Sequence, residues 1–177
     1  MLENAVDEEP IFLLGSGRCG STFLQTRLSA LGNVWIWGEH DGMLVKLREW
    51  RESVASSTKM NEFSTSRPPG DPMVLLKKDQ GADATMVAWL NGFRTADLDR
   101  VLRLAVTSLF TCALPVGKRR WGFKEIRYGP DDRMAVYLLD LFPRGKIVHT
   151  LRNPFSTIES GLFAWHLPML QEAFGKR

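Results

Sequence analysis

The segment from Pro10 to Leu24 constrains this chain more than any other. An apolar run, Ile11-Phe12-Leu13-Leu14, leads into Gly15-Ser16-Gly17-Arg18-Cys19-Gly20 and then into a helix-compatible stretch opening at Ser21. A strand, a glycine-rich turn and a helix N-terminus in that order form a phosphate-binding loop. Glycines let backbone N–H groups converge on an anion, and the positive end of the helix dipole points at the same place. The loop departs from the ATPase pattern, which needs a lysine between the last glycine and the Ser/Thr. Here Ser21 follows Gly20 directly, and the cation stands three positions earlier, as Arg18.

Short apolar segments alternate with helical ones along the rest of the chain. Strands are expected at 11–14, 33–37, 121–126 and 146–151. Helices are expected at 21–31, 41–53, 83–92, 97–114, from the cap Gly129-Pro130-Asp131-Asp132 to 141, and 154–165. Leu24, Leu28 and Leu31 share one face of the first helix, which marks its core side. Residues 55–72, rich in Ser, Thr, Pro and Gly, read as a loop or lid. This alternation implies an α/β chain: a three-layer α/β/α fold with a mostly parallel central sheet, similar to P-loop NTPases, with ligands at the C-terminal ends of the strands.

With 177 residues the chain fits a single domain over 1–177, and 44% hydrophobic with 24% charged content excludes pervasive disorder. A net charge of +3, with basic residues dispersed except at Lys118-Arg119-Arg120, argues against a nucleic-acid partner. Two cysteines, Cys19 and Cys112, imply no disulfide framework. The acidic start of the chain lacks a secretion signal, and the apolar run 101–116 contains Arg103 and is too short to span a membrane. A cytoplasmic location is the resulting expectation.

A second motif lies downstream, where Lys146-Ile147-Val148-His149-Thr150-Leu151-Arg152-Asn153-Pro154 reads as a strand ending at a helix start, with Ser160 eight residues after Arg152. Asn153 suits an N-cap and Pro154 the first helical position. Together, Arg18-Cys19-Gly20-Ser21-Thr22 and this Arg-Asn-Pro with its spaced serine resemble the two donor-binding motifs of sulfotransferases that use 3′-phosphoadenosine 5′-phosphosulfate (PAPS). Trp121-Gly122-Phe123-Lys124 and Phe142-Pro143-Arg144-Gly145-Lys146 resemble the family's central strand and its approach to the second motif. The likeness covers roughly residues 10–40 and 121–165.

That resemblance implies the following roles. PAPS is the donor co-substrate, bound at its 5′ end by Gly17, Arg18, Cys19, Gly20, Ser21 and Thr22 and at its 3′-phosphate by Arg152 and Ser160. Arg18 and Lys124 stabilise charge, no metal is required, and the acceptor is a carbohydrate-like or small-molecule hydroxyl or amine. The base is either Glu39, narrowly preferred, or His40, whose ordinary pKa lies nearer neutrality. The histidine that aryl and steroid sulfotransferases carry just past the lysine is replaced here by Glu125-Ile126. Relatives usually continue with another strand and a closing basic loop, so the sequence reads as incomplete at its C-terminus. The alternatives are a P-loop nucleotide kinase-like enzyme and a catalytically impaired nucleotide-binding module.

Each residue also has a simpler reading. Lys124 suits a solvated strand end, Glu39 a surface ion pair with an arginine, and His40 a loop histidine. His149 reads as core and His166 as a helix-dipole partner, while Trp35 and Trp37 alternate with Val34 and Ile36 on a sheet. Val136-Tyr137-Leu138-Leu139-Asp140 imitates a Walker B strand. The Gly129-Pro130 start and the Pro143 stop make it a helix instead.

Overall fold

The structure, a computed structural model, describes residues 9–58, 60 and 95–166. Four strands form one all-parallel sheet: β1 (Ile11–Gly15), β2 (Val34–Trp37), β3 (Arg120–Glu125) and β4 (Lys146–Thr150), in the spatial order β2-β3-β1-β4. Helices α1 (Ser21–Ala30), α2 (Leu44–Ser56), α3 (Thr95–Thr111), α4 (Met134–Leu141) and α5 (Pro154–Gly161) join them, with a 3₁₀ turn at Pro130–Asp132 and a π-helical turn at Leu162–His166. The fold is thus α/β with a parallel sheet and helices between its strands, consistent with the P-loop-like architecture expected of the sequence. The helix expected at 83–92 and most of the loop expected at 55–72 lie outside the described residues.

The described residues gather into two compact units, one from the chain up to residue 43 and from 108 onward, the other from 44 to 107. The first unit holds the sheet. β1 sits between β3 and β4, and Phe12 and Leu13 are both fully buried, as continuous apolar strands are when covered on two faces. Register sorts the side chains. Phe12 pairs with Phe123, and Trp35 pairs with Trp121, so the aromatic residues share one face; there Phe12, Phe110, Trp121, Phe123 and Phe142 pack at centroid spacings of 5.0 to 6.2 Å. Each such buried ring is worth about 1.5–3 kcal/mol of transfer free energy. On the opposite face Leu13, Val34 and Ile36 are packed by Leu24 and Leu28 of α1.

Gly122 explains the tightness of that second face. A Cβ there would stand 2.0 Å from the carbonyl oxygen of Ile11 and 2.8 Å from Ile36 Cδ1, so only glycine fits between the strands under α1. In the second unit, Arg51 on α2 and Asp99 on α3 form a two-pronged ion pair, with Nη2 to Oδ2 at 2.9 Å.

Three local expectations are corrected. Leu31 is not a core residue: α1 ends at Ala30, and Leu31 is extended and 55% exposed. The helix expected to run from the Gly129-Pro130-Asp131-Asp132 cap does not follow it directly. Asp132 turns back to accept from the Gly129 amide at 2.9 Å, a 3₁₀ turn spans Pro130–Asp132, and Arg133 at φ 48° delays α4 until Met134. His149 is exposed, because β4 is the outermost of the described strands on its side. Asp140 lies in α4, which settles the Walker B imitation as a helix. Among the described residues no helix is long and apolar enough to cross a membrane.

Candidate functional site

All four strands run parallel, so their C-terminal ends and the loops that leave them share one edge of the sheet. The loop after β1 carries Arg18 at φ 64° and Gly20 at φ 92°, two left-handed residues that swing the chain into α1. Gly20 is the N-cap; no side chain caps it, and no acidic residue occupies the first turn of α1. The positive end of that helix therefore has no protein anion near it in its own first turn. Cys19 faces inward: it is buried, and its Sγ lies 2.8 Å from Thr150 Oγ1 on β4. Its side chain locks the loop to the sheet and lines neither cavity described below, which leaves only its backbone N–H for a ligand.

The second motif ends next to the first. Asn153 caps α5, its Oδ1 accepting from the amides of Phe155 at 2.9 Å and Ser156 at 3.4 Å. Arg152 donates from Nη1 to the Arg18 carbonyl at 3.2 Å, and Arg18 Nε donates to Ser160 Oγ at 3.0 Å. Residues some 134 and 142 positions apart in sequence thus meet at one rim. A cavity of about 200 Å³ opens there, lined by Arg18, Gly20, Ser21, Thr22, Arg152 and Ser160.

A larger cavity of about 380 Å³ adjoins it and shares Arg18, Ser21 and Thr22. Its other walls come from Gly17, Glu39, Lys124, Ile126 and Arg127. Lys124 is no solvated strand end: it is 7% exposed, its Nζ standing 2.6 Å from Glu39 Oε1 and donating to Thr22 Oγ1 at 3.2 Å. Glu39 Oε2 in turn accepts from Arg127 Nη1 at 2.9 Å. The ammonium therefore links the phosphate-loop hydroxyl to the carboxylate after β2. Arg127, half exposed, is a site residue that no sequence motif marks; only its nearness to Lys124 in the chain hinted at it.

His40 sits elsewhere. Its ring packs against Phe123 at 4.7 Å, Phe110 at 5.7 Å and Tyr128 at 5.8 Å, its Nδ1 is 3.5 Å from Glu125 Oε2, and it lines neither cavity. Burial holds this imidazole below its ordinary 6.5, against the pull of Glu125. Burial alone would raise the Glu125 carboxyl, but the amides of Gly42, His40 and Ile126 and the Arg127 guanidinium outweigh it and hold that group below 4.5. The Glu125 hydrogen bonds raise Arg127 above its ordinary value. Among the described residues no group of three or more His, Cys, Asp or Glu side chains is placed to hold a metal ion.

Both depressed groups act on stability in the same direction. Folding favours neutral His40, so below 6.5 the unfolded chain takes up the proton first and stability falls with pH. Ionised Glu125 stabilises the fold above 4.5, and that contribution disappears as pH falls through its folded pKa. Urea midpoints measured on acidification should fall in two stages, the first starting near 6.5 and the second below 4.5. His40→Asn should abolish the first stage; its persistence in the variant would assign it to another group.

A glycine-rich loop at a parallel sheet edge thus meets a second arginine-serine pair and a lysine-carboxylate pair. The sequence matches the Sulfotransferase family over residues 10–175, and the chain belongs to that family. No curated protein matches it.

Proposed function

We propose that the chain transfers a sulfuryl group from PAPS to a hydroxyl or amine of a carbohydrate-like or small-molecule acceptor. The observation that carries this reading is the meeting of the two arginine motifs at one cavity, Arg152 on the Arg18 carbonyl and Arg18 on Ser160. A donor with phosphates on both its 5′ and 3′ sides needs two separate cation sites within one molecule's reach, and an ordinary nucleoside triphosphate does not. The walls of the larger cavity are mostly charged or polar, with Ile126 as the apolar exception among those described, which favours a polar acceptor over a flat aromatic one.

PAPS supplies an activated sulfuryl group whose leaving oxygen belongs to the 5′-phosphate. The protein's part is electrostatic and positional. Arg18, the first amides of α1 and the hydroxyls of Ser21 and Thr22 hold the 5′ side, while Arg152 and Ser160 hold the 3′-phosphate. Lys124, already bonded to Thr22, offers a cation where charge develops on the leaving oxygen. Glu39 takes the acceptor proton as the acceptor oxygen or nitrogen forms its bond to sulfur and the bond from sulfur to the 5′-phosphate oxygen breaks. Glu39 is preferred to His40 because it lines the cavity and His40 does not.

Calorimetric titration with adenosine 3′,5′-bisphosphate, ATP and GTP tests the reading. Bisphosphate should bind tightest, without a metal requirement. A preference for ATP with Mg²⁺ would point to the kinase-like alternative, and bisphosphate binding with no sulfuryl transfer to any acceptor would point to an inert nucleotide-binding module.

A further inference from the structure

We propose that Glu125 is a positioning residue: it ties the loop after β2 to the loop after β3 and so holds Glu39 and Arg127 in place at the larger cavity. What Glu39 does there rests on the sulfuryl-transfer reading; the tie itself does not.

The paired register of β2 and β3 ends at Trp37 and Phe123; beyond it the β2 chain leaves the sheet, while β3 continues along β1 to Glu125. Glu125 supplies the next connection. Its Oε2 accepts from the amides of His40 at 3.1 Å and Gly42 at 2.9 Å, both in the loop after β2. Its Oε1 accepts from the amides of Ile126 at 2.9 Å and Arg127 at 3.1 Å and from Arg127 Nη1 at 3.1 Å. Five donors converge on two oxygens. A carboxylate accepts on both atoms, whereas an amide or hydroxyl in the same place would turn a hydrogen toward one set of donors.

Position in the strand explains why this residue does the work. Side chains alternate across a sheet, so Lys124 and Glu125 leave β3 on opposite faces. Lys124 reaches Thr22 and Glu39, while Glu125 lies fully buried on the aromatic face beside His40. Glu39 precedes the pinned His40 amide directly, and its Oε2 shares Arg127 Nη1 with Glu125 Oε1. The loop it belongs to contains Asp41 at φ 59° and Gly42 at φ 67°, a left-handed pair that a non-glycine residue enters only against strain. The two amide bonds to Glu125, from His40 and Gly42, stand on either side of Asp41. Being fully buried, Glu125 cannot touch an acceptor; it acts through Glu39 and Arg127.

Hydrogen exchange resolved by residue, with Glu125→Gln beside the wild type, tests the tie. The amides of residues 40, 42, 126 and 127 should exchange about tenfold or more faster in the variant, while those of β1 and β3 keep their protection. Affinity for adenosine 3′,5′-bisphosphate should stay within about twofold, and kcat for sulfuryl transfer should fall about tenfold or more with the KM for PAPS unchanged. Unaltered loop exchange would overturn the proposal, and so would faster exchange spread over the whole sheet, which marks a general core role. If the variant does not fold, wild-type exchange decides: the His40 and Gly42 amides should be protected about tenfold or more over that of Asp41, and equal exchange would refute the tie. Failure of the wild type to bind the bisphosphate would sink the functional reading of the cavity and leave this exchange result standing.

Discussion

Glu39→Gln should lower kcat by about 10²–10⁴ while leaving the KM for PAPS nearly unchanged, because the substitution removes the proton acceptor of the proposed sulfuryl transfer and keeps its shape. Glu39 is held between Lys124 Nζ at 2.6 Å and Arg127 Nη1 at 2.9 Å, so the variant also leaves a nearly buried ammonium without its carboxylate. Two controls separate chemistry from damage. Bisphosphate binding reads the other end of the site and should persist, and His40→Gln should leave kcat within about threefold because that imidazole lies outside the cavity. A large kcat loss in the His40 variant with little in the Glu39 variant would exchange their roles. Steady-state kinetics with the best acceptor from a panel of sugars and small alcohols is the measurement.

The parts of this site visible in the sequence are those built from neighbours in the chain. Glycine spacing and the position of Arg18 announce the first loop, and Asn153-Pro154 announces α5, whose cap forms as those residue types dictate. The apolar run of β1 is buried as its composition requires, and so are Trp121 and Phe123 of β3. What the sequence hides depends on which strands become neighbours. The order β2-β3-β1-β4 puts the loop bearing Glu39 beside the end of β3, and only then do Arg127 and Glu125 acquire their partners. No pattern within 121–127 distinguishes Glu125 from a charge at a strand end, yet it is fully buried because five donors surround it. The exposure of His149 has the same origin, since it follows from β4 lying at one side of the described sheet. Leu31 departs from the pattern for a local reason: helical periodicity continues past the residue where the backbone turns extended.

Arg152→Ala should weaken adenosine 3′,5′-bisphosphate binding by about 10- to 150-fold, the loss of roughly 1.5–3 kcal/mol that a charge-assisted hydrogen bond contributes. Affinity for 5′-AMP should change by no more than about twofold, because the proposed function assigns the 5′ side to Arg18, Ser21, Thr22 and the α1 N-terminus. The geometry makes this contrast demanding. Arg152 donates to the Arg18 carbonyl at 3.2 Å, so its loss could in principle release the first loop as well. Two other contacts oppose that release: Cys19 remains locked to Thr150 at 2.8 Å, and Arg18 remains bonded to Ser160 at 3.0 Å. The loop should therefore stay in place, and the deficit should be confined to the ligand that carries a 3′-phosphate. Arg152→Lys gives the graded case, restoring charge without the two-pronged guanidinium and recovering part of the affinity. Calorimetric titration of both ligands against the three proteins reads all of this. Equal losses for bisphosphate and 5′-AMP would show that Arg152 serves the first loop and not a second phosphate, and the two-cradle reading of the cavity would fail with it.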